Sequence, residues 1–301
     1  MFFLILMLIV TGLCWLIEGI VVSQCAQHGL CYRKVQGIFA AGNALIAFCT
    51  MLCSGAWPQI GTRETCLVAM LFALAGCANF FAFHFTNVAM KYGHNGIVWS
   101  LMQSGMVLSF LMGAIFFHDK ATALRVIGLI MILAGMFLLG CAKSSGIGDK
   151  KYPLSKWLFP TFAAFLLVGL THCFIVLPSY YNALATSSFF RGTWLAGASF
   201  LCFLGSSFFS KNTQKSNGKI EWMFALLLIA IGFISSYVIL YPTIDRLAQR
   251  HLGGIAYPVS IGVCIVAFML YSTLVTKEKS SPAGWLGVLL ASLGIACITV
   301  Q

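Results

Sequence analysis

The chain has 301 residues, 60% of them apolar and only 8% charged, with a mean hydropathy of +0.95. A soluble domain carries about 25% charged residues, so an ordinary water-soluble globule is excluded. The net charge of +11 does not point to nucleic acid, because the basic residues sit between apolar runs, where they orient helices against a membrane surface.

Ten apolar stretches follow one another, each near the length that crosses a bilayer. They predict helices over Phe3–Cys25, Gln36–Ser54, Thr65–Met90, Gly96–Phe117 and Thr122–Cys141, then over Trp157–Leu177, Ser187–Phe209, Ile220–Leu240, Gly254–Val275 and Ala283–Val300. The start, Met1-Phe-Phe-Leu, lacks a basic leader and a small-residue cleavage pattern, so the first stretch reads as a retained helix. The polar segment Lys143–Lys156, with Pro153, separates a first five-helix repeat over 1–142 from a second over 157–301. A shorter polar link, Ser210–Lys219, divides the seventh and eighth helices, and no stretch outside the apolar runs is long enough for a soluble domain.

The two halves share landmarks. Gly12-Leu-Cys-Trp15 answers to Gly169-Leu-Thr-His172, and Gly96-Ile-Val-Trp99 to Gly254-Ile-Ala-Tyr257. Asp119-Lys120 answers to Glu278-Lys279, and the pair Gly128 and Gly135 to Gly287 and Gly294. Five helices per half is an odd number, so the second half enters the membrane from the opposite face. The expected fold is therefore an all-α integral membrane protein of ten transmembrane helices in two inverted-topology repeats.

Charge predicts orientation. Connections after odd-numbered helices hold twelve lysines and arginines, among them Arg33, Lys34, Lys91, Lys143 and Lys156; the other set holds six, Arg63, Lys120, Arg125, Arg191, Arg246 and Arg250. That asymmetry places both termini outside the cytoplasm. Twelve cysteines suggest a disulfide framework by count alone. Most lie inside helices, with no C-x-x-C and no zinc spacing, so they read as small packing residues. No metal and no cofactor is expected.

An ionisable group inside a span is expensive and usually functional. Glu18 is the only carboxylate near the middle of a predicted helix. It suits either a proton or a cationic substrate, and competition between the two for one site couples their movement. The bland alternative is a protonated acid bonded to a backbone carbonyl. Trp15 lies one helical turn earlier on the same face and offers an aromatic wall. His84 and His172 are the next candidates, His172 because it matches Trp15; each also reads as a histidine bonded to a helix carbonyl. Asn43 and Asn79 are buried amides that suit a pocket or helix-to-helix bonding. Trp99 with Gln103, Tyr257 with Ser260, and Tyr237 with Tyr241 form short polar-aromatic faces, fit either for a cavity or for packing. Asp245-Arg246 reads as a solvated pair or gate, and Asp119 and Glu278 as structural turn residues. Pro160 and Pro178 bracket the sixth predicted helix, Pro242 ends the eighth and Pro258 interrupts the ninth.

The segments Gly96–Gly140 and Gly254–Val300, with Gly96, the acidic turns and the two G-x6-G pairs, resemble the terminal helices of the drug/metabolite transporter superfamily in its ten-helix EamA-like form. Ala256-Tyr257-Pro258-Val259 with Gly262 is similar to the third helix of the small multidrug resistance branch, and Glu18 resembles that branch's membrane carboxylate. The resemblance implies a central cavity between helices one to four and six to nine, alternating access, and cytoplasmic termini, the reverse of the charge count. Two departures stand out: Glu18 has no acidic counterpart in the sixth helix, and the orientation implied by charge differs. The expected function is a secondary carrier in a cell membrane, plasma or inner. Its partners are a small polar substrate (amino acid, amine, zwitterion or cation), the lipid bilayer and protons, and it works as a monomer. A multidrug exporter of lipophilic cations is the alternative. A membrane-embedded lipid-modifying enzyme would need clustered catalytic groups, which the sequence does not present.

Overall fold

The computed structural model describes residues 1–58, 60–92, 95–141, 154–209, 218–275 and 282–299. Among them the chain is all-helical, with no strand. Six helices are long and apolar enough to cross a membrane, which is compatible with a multi-pass membrane protein. Large apolar side chains stand in the open on outer faces, including Phe2, Phe116, Phe159, Leu201 and Phe208. Such a surface suits hydrocarbon, where only backbone that satisfies itself within a helix is tolerated.

In chain order, α1 is Phe2–Gln27, α2 Tyr32–Cys53, α3 Thr62–Met90, α4 Asn95–Gln103, α5 Met106–Phe116 and α6 Ala123–Cys141. In the second half α7 is Leu154–Val176, followed by the 3-10 turns Leu177–Tyr180 and Asn182–Leu184, and α8 is Ser188–Phe209. Then come α9, Gly218–Gly232, a π-helical segment over Phe233–Leu240, and α10, Tyr241–Ala248. A 3-10 turn over Gly253–Ile255 leads into α11, Ala256–Leu274, and α12 is Pro282–Thr299. Most of the two predicted polar links and the turn Glu278-Lys279 lie outside the described residues.

Four local departures from the sequence reading have physical causes. First, α2 starts at Tyr32, so Arg33 and Lys34 lie in its first turn rather than in a connection. Lys34 pairs with the fully buried Glu221 at 3.1 Å, and that carboxylate also accepts the Cys31 backbone N–H, while Arg33 donates to the Ser206 carbonyl. Second, the helix expected over Gly96–Phe117 breaks at Ser104 and Gly105. Ser104 Oγ donates to the Leu101 carbonyl, and the chain tightens through three-residue hydrogen bonds. A side chain at Gly105 would collide with the Phe165 carbonyl and with Gly169 of α7, so the break lets two backbones touch.

Third, Pro242 does not end its helix. The rod continues from Gly218 to Ala248, because the π segment widens the turn before Pro242 and relieves the clash of its ring with the preceding turn. Asp245 and Arg246 consequently lie within a helix, and Asp245 pairs with Arg191 on α8 at 2.7 Å rather than with its neighbour. Fourth, Pro258 does not interrupt α11. It sits in the first turn, where backbone N–H groups have no partner within the helix.

The two halves interlock. The helix α6 packs along α12, α2 along α8, α3 against both α7 and α8, and α1 along α11. At the α6–α12 crossing, Gly128 lies against Gly294 and Gly135 against Gly287. Small residues at such a crossing let helices approach where lipid offers no hydrophobic drive to associate. Two buried apolar clusters result: one holds Leu8, Phe72, Ile244 and Tyr257, the other Val22, Tyr32, Trp99 and Phe268. Trp15 packs against both.

Candidate functional site

Between the two clusters lies a cavity with about 1060 Å³ of empty space, counting its open mouth. Nine of the twelve predicted site residues line it: Trp15, Glu18, Asn43, Asn79, Gln103, His172, Tyr237, Tyr241 and Tyr257. Pockets for small molecules are lined mainly by apolar and aromatic groups with a few placed polar ones, and this lining has that character.

Its frame is a stack of three rings. Tyr257 lies between Trp15, 5.9 Å away at 15°, and His172, 3.7 Å away at 19°. Trp15 and His172, which the sequence landmarks align, thus close on the same tyrosine from α1 and α7. Glu18 sits one turn from Trp15 and is partly exposed to the cavity. Among the described residues it is the only carboxylate in the lining, and no lysine or arginine joins it there. No hydrogen bond or ion pair to Glu18 occurs among the described residues.

Further positions that the same sequence alignment pairs also face the cavity. The offset that joins Trp15 to His172 joins Cys14 to Thr171 and Glu18 to Ile175, and all line it. The offset that joins Gly96 to Gly254 joins Asn79 to Tyr237 and Phe83 to Tyr241, and these line it too.

Three predicted residues lie elsewhere. Trp99 is buried behind α1, stacked on Phe268 at 5.9 Å and touching Gly19's position, so its repeat partner Tyr257 enters the cavity and Trp99 does not. Ser260 is buried at the α1–α11 contact, its carbonyl against Gly12. His84 is half-buried beside Phe85, within electrostatic reach of Arg33 and Lys91.

Several polar lining residues carry no signal that singles them out in the sequence: Gln36, Thr171, Ser199, Ser235 and Ser236. Thr171 Oγ1 and Ser199 Oγ donate to the α3 carbonyls of Ala75 and Gly76, and Gln36 Nε2 donates to that of Phe80. Five lining side chains keep a buried polar atom without a protein partner: Gln36 Oε1, Asn43 Oδ1, His172 Nδ1, Ser235 Oγ and Tyr257 OH. Buried polar groups are nearly always paired, so a concentration of orphans around one cavity marks a place built to meet something polar. Among the described residues no three His, Cys, Asp or Glu side chains converge as metal ligands.

Beyond the cavity, the α5–α6 turn is clasped to the second half. Asp119 Oδ2 accepts the Tyr180 hydroxyl at 2.5 Å and the Gly254 N–H at 2.7 Å, while Phe117 stacks on Tyr180 at 3.9 Å. Burial raises the Asp119 carboxyl above the usual carboxylate value; the two hydrogen bonds oppose that shift without cancelling it.

No family model matches this chain, and no curated protein does. Among solved structures, one described only as the crystal structure of a protein is similar over 98% of this chain and 96% of its own, with a TM-score of 0.67 and 16% identity. At that identity the likeness establishes the shared fold alone.

Proposed function

We propose that the chain is a secondary carrier of the ten-helix, inverted-repeat kind, moving a small polar metabolite across a membrane by alternating access with Glu18 as the proton-coupling group. The observation that carries this reading is the unpaired carboxylate in a cavity without basic lining residues. An isolated acid there binds a proton or a cationic ligand, and whichever is bound excludes the other. The reciprocal packing supports the two-repeat architecture. Exchanging the halves turns the Gly128–Gly294 contact into the Gly135–Gly287 contact, as an axis relating two copies of one surface requires. The aromatic stack and the orphaned polar atoms supply the wall and the specificity that a pocket for a small molecule needs.

The test is uptake into proteoliposomes with an imposed pH gradient, across amino acids, amines, nucleosides, sugars and lipophilic cations. We expect saturable uptake of one class that dissipates the gradient and vanishes in Glu18→Gln. Uptake unaffected by Glu18→Gln would leave a carrier not coupled through this acid. No uptake of any compound would sink the carrier reading.

A further inference from the structure

We propose that Lys34–Glu221 and Arg191–Glu64 are alternative ion pairs of one switch. The first is made in this structure and ties the halves together at one end of the cavity; the second forms at the other end when the first breaks. This inference rests on the two-repeat carrier reading above and names the groups that would hold each of its end states.

The positions are the first argument. The offset that joins Trp15 to His172 also joins Lys34 to Arg191 and Glu64 to Glu221, so a base answers a base and an acid an acid. It lasts as far as the wide turn Phe233–Leu240, where one additional residue brings it to the offset that joins Asn79 to Tyr237. Lys34 and Glu221 lie in the first turns of α2 and α9, Arg191 and Glu64 in the first turns of α8 and α3. All four helices line the cavity. Because the chain passes up and down the bundle, α2 and α9 start at one end, α3 and α8 at the other. A cation at a helix start opposes the backbone dipole, so neither base is placed there to stabilise its own helix.

The contacts are the second argument. Lys34 Nζ lies 3.1 Å from the fully buried Glu221, which also accepts the Cys31 N–H. Parting the pair strands a buried charge unless water enters, so it breaks only as that end opens. The equivalent pair is not made. Arg191 is held by Asp245 at 2.7 Å, within its own half, and by Thr186 at 3.0 Å and Ser179 at 3.3 Å. Its guanidinium stands 5.9 Å over the Phe72 ring of α3, about two turns beyond Glu64. No ion pair to Glu64 occurs among the described residues. Arg191 is thus one change of partner from bridging the halves, and Asp245, 30% exposed, can be left to water. Inverted repeats reach their two end states by moving one half against the other, and exchanging the halves turns Lys34–Glu221 into Arg191–Glu64.

A carbodiimide joins an amine to a contacting carboxyl as an amide and takes up the released water as a urea, so it reads both pairs without any substrate. It is applied to the full-length protein carrying Arg191→Lys, and the products are mapped by mass spectrometry. We expect amides joining Lys34 to Glu221 and position 191 to Asp245. Adding Glu221→Gln, or separately Lys34→Met, should remove the first and raise the amide between position 191 and Glu64 by about tenfold. Thermal unfolding verifies that each variant folds. No rise of that product in either variant overturns the switch. With Arg191 native, Cys14 gives a second reading, because it lines the cavity. Glu221→Gln should change its alkylation rate, and adding Glu64→Gln should reverse the change; a rate that Glu64→Gln leaves unaltered in that background also overturns the switch. The amides and the thiol test the switch and uptake tests the carrier, so either can fail without the other.

Discussion

The α1 and α7 walls of the cavity are built alike and charged differently. Trp15 on α1 and His172 on α7 flank the same Tyr257. One turn further on, α1 presents Glu18 and α7 presents Ile175, and both line the cavity. The contrast is that two helices sharing one aromatic partner differ in charge, with Glu18 the one carboxylate among the described lining residues.

The strongest way to break this comparison is to move the acid. Replacing Glu18 by isoleucine should reduce Glu18-dependent substrate affinity by about 100-fold, the scale of losing a buried charge partner. Combining Glu18→Ile with Ile175→Glu should restore part of it, since the acid would then stand at the equivalent place on α7. Isothermal titration of the single and double variants reads this directly, and a double variant no better than the single would deny the equivalence of the two walls.

The packing half of the comparison can be sharpened at α6–α12. Valine at Gly128 or at Gly287 should each destabilise the protein, by about 1–3 kcal/mol for overpacking a close crossing. Thermal unfolding should place the two variants within a narrow margin of each other. A large loss at one position and none at the other would contradict the reciprocal geometry.

At the clasp, which joins the halves through unlike groups, a smaller effect is expected. Tyr180→Phe deletes the hydroxyl that Asp119 accepts, and its loss should cost about 1–2 kcal/mol, measurable by denaturant titration in detergent. The smallest effect is a pH dependence. Because the folded Asp119 carboxyl titrates above its unfolded value, the folded state holds its proton more tightly. Its contribution to stability is thus present in acid and is lost as pH rises through the folded value. Asp119→Asn should flatten that decline, and an unchanged pH profile would show that another group governs it.

The all-helical, apolar character of this molecule was readable in the sequence because helices fit to cross a bilayer announce themselves by length and apolar composition. The sequence pairs Trp15 with His172 through Gly12-Leu-Cys and Gly169-Leu-Thr, and both rings stack on Tyr257. Helix rotation was not legible. Trp99 and Gln103 share one face by spacing, yet α4 ends at Gln103 and only that residue reaches the cavity. Ser199, Ser235 and Thr171 were invisible because a hydroxyl inside a helix looks the same whether it lines a cavity or bonds its own backbone. Glu221 was overlooked because it lies near a helix start, where a carboxylate ordinarily meets solvent; here it is fully buried and bound to Lys34 and Cys31. Pro242 misled because the sequence offers no sign that the turn before it is wide.

That wide turn holds more chain than an α-turn of the same helix. Deleting one residue from Phe233–Leu240 would let the wide turn close to an α-turn and leave the faces beyond it nearly in place, whereas a deletion within α9, which has no such slack, would swing everything beyond by about 100° around the axis. In that second case Tyr241 would leave the cavity in the same movement that takes Asp245 away from Arg191. The pocket wall and the Arg191–Asp245 ion pair therefore ride on one rod, and the wide turn is the one stretch of it that can lose a residue without re-aiming either.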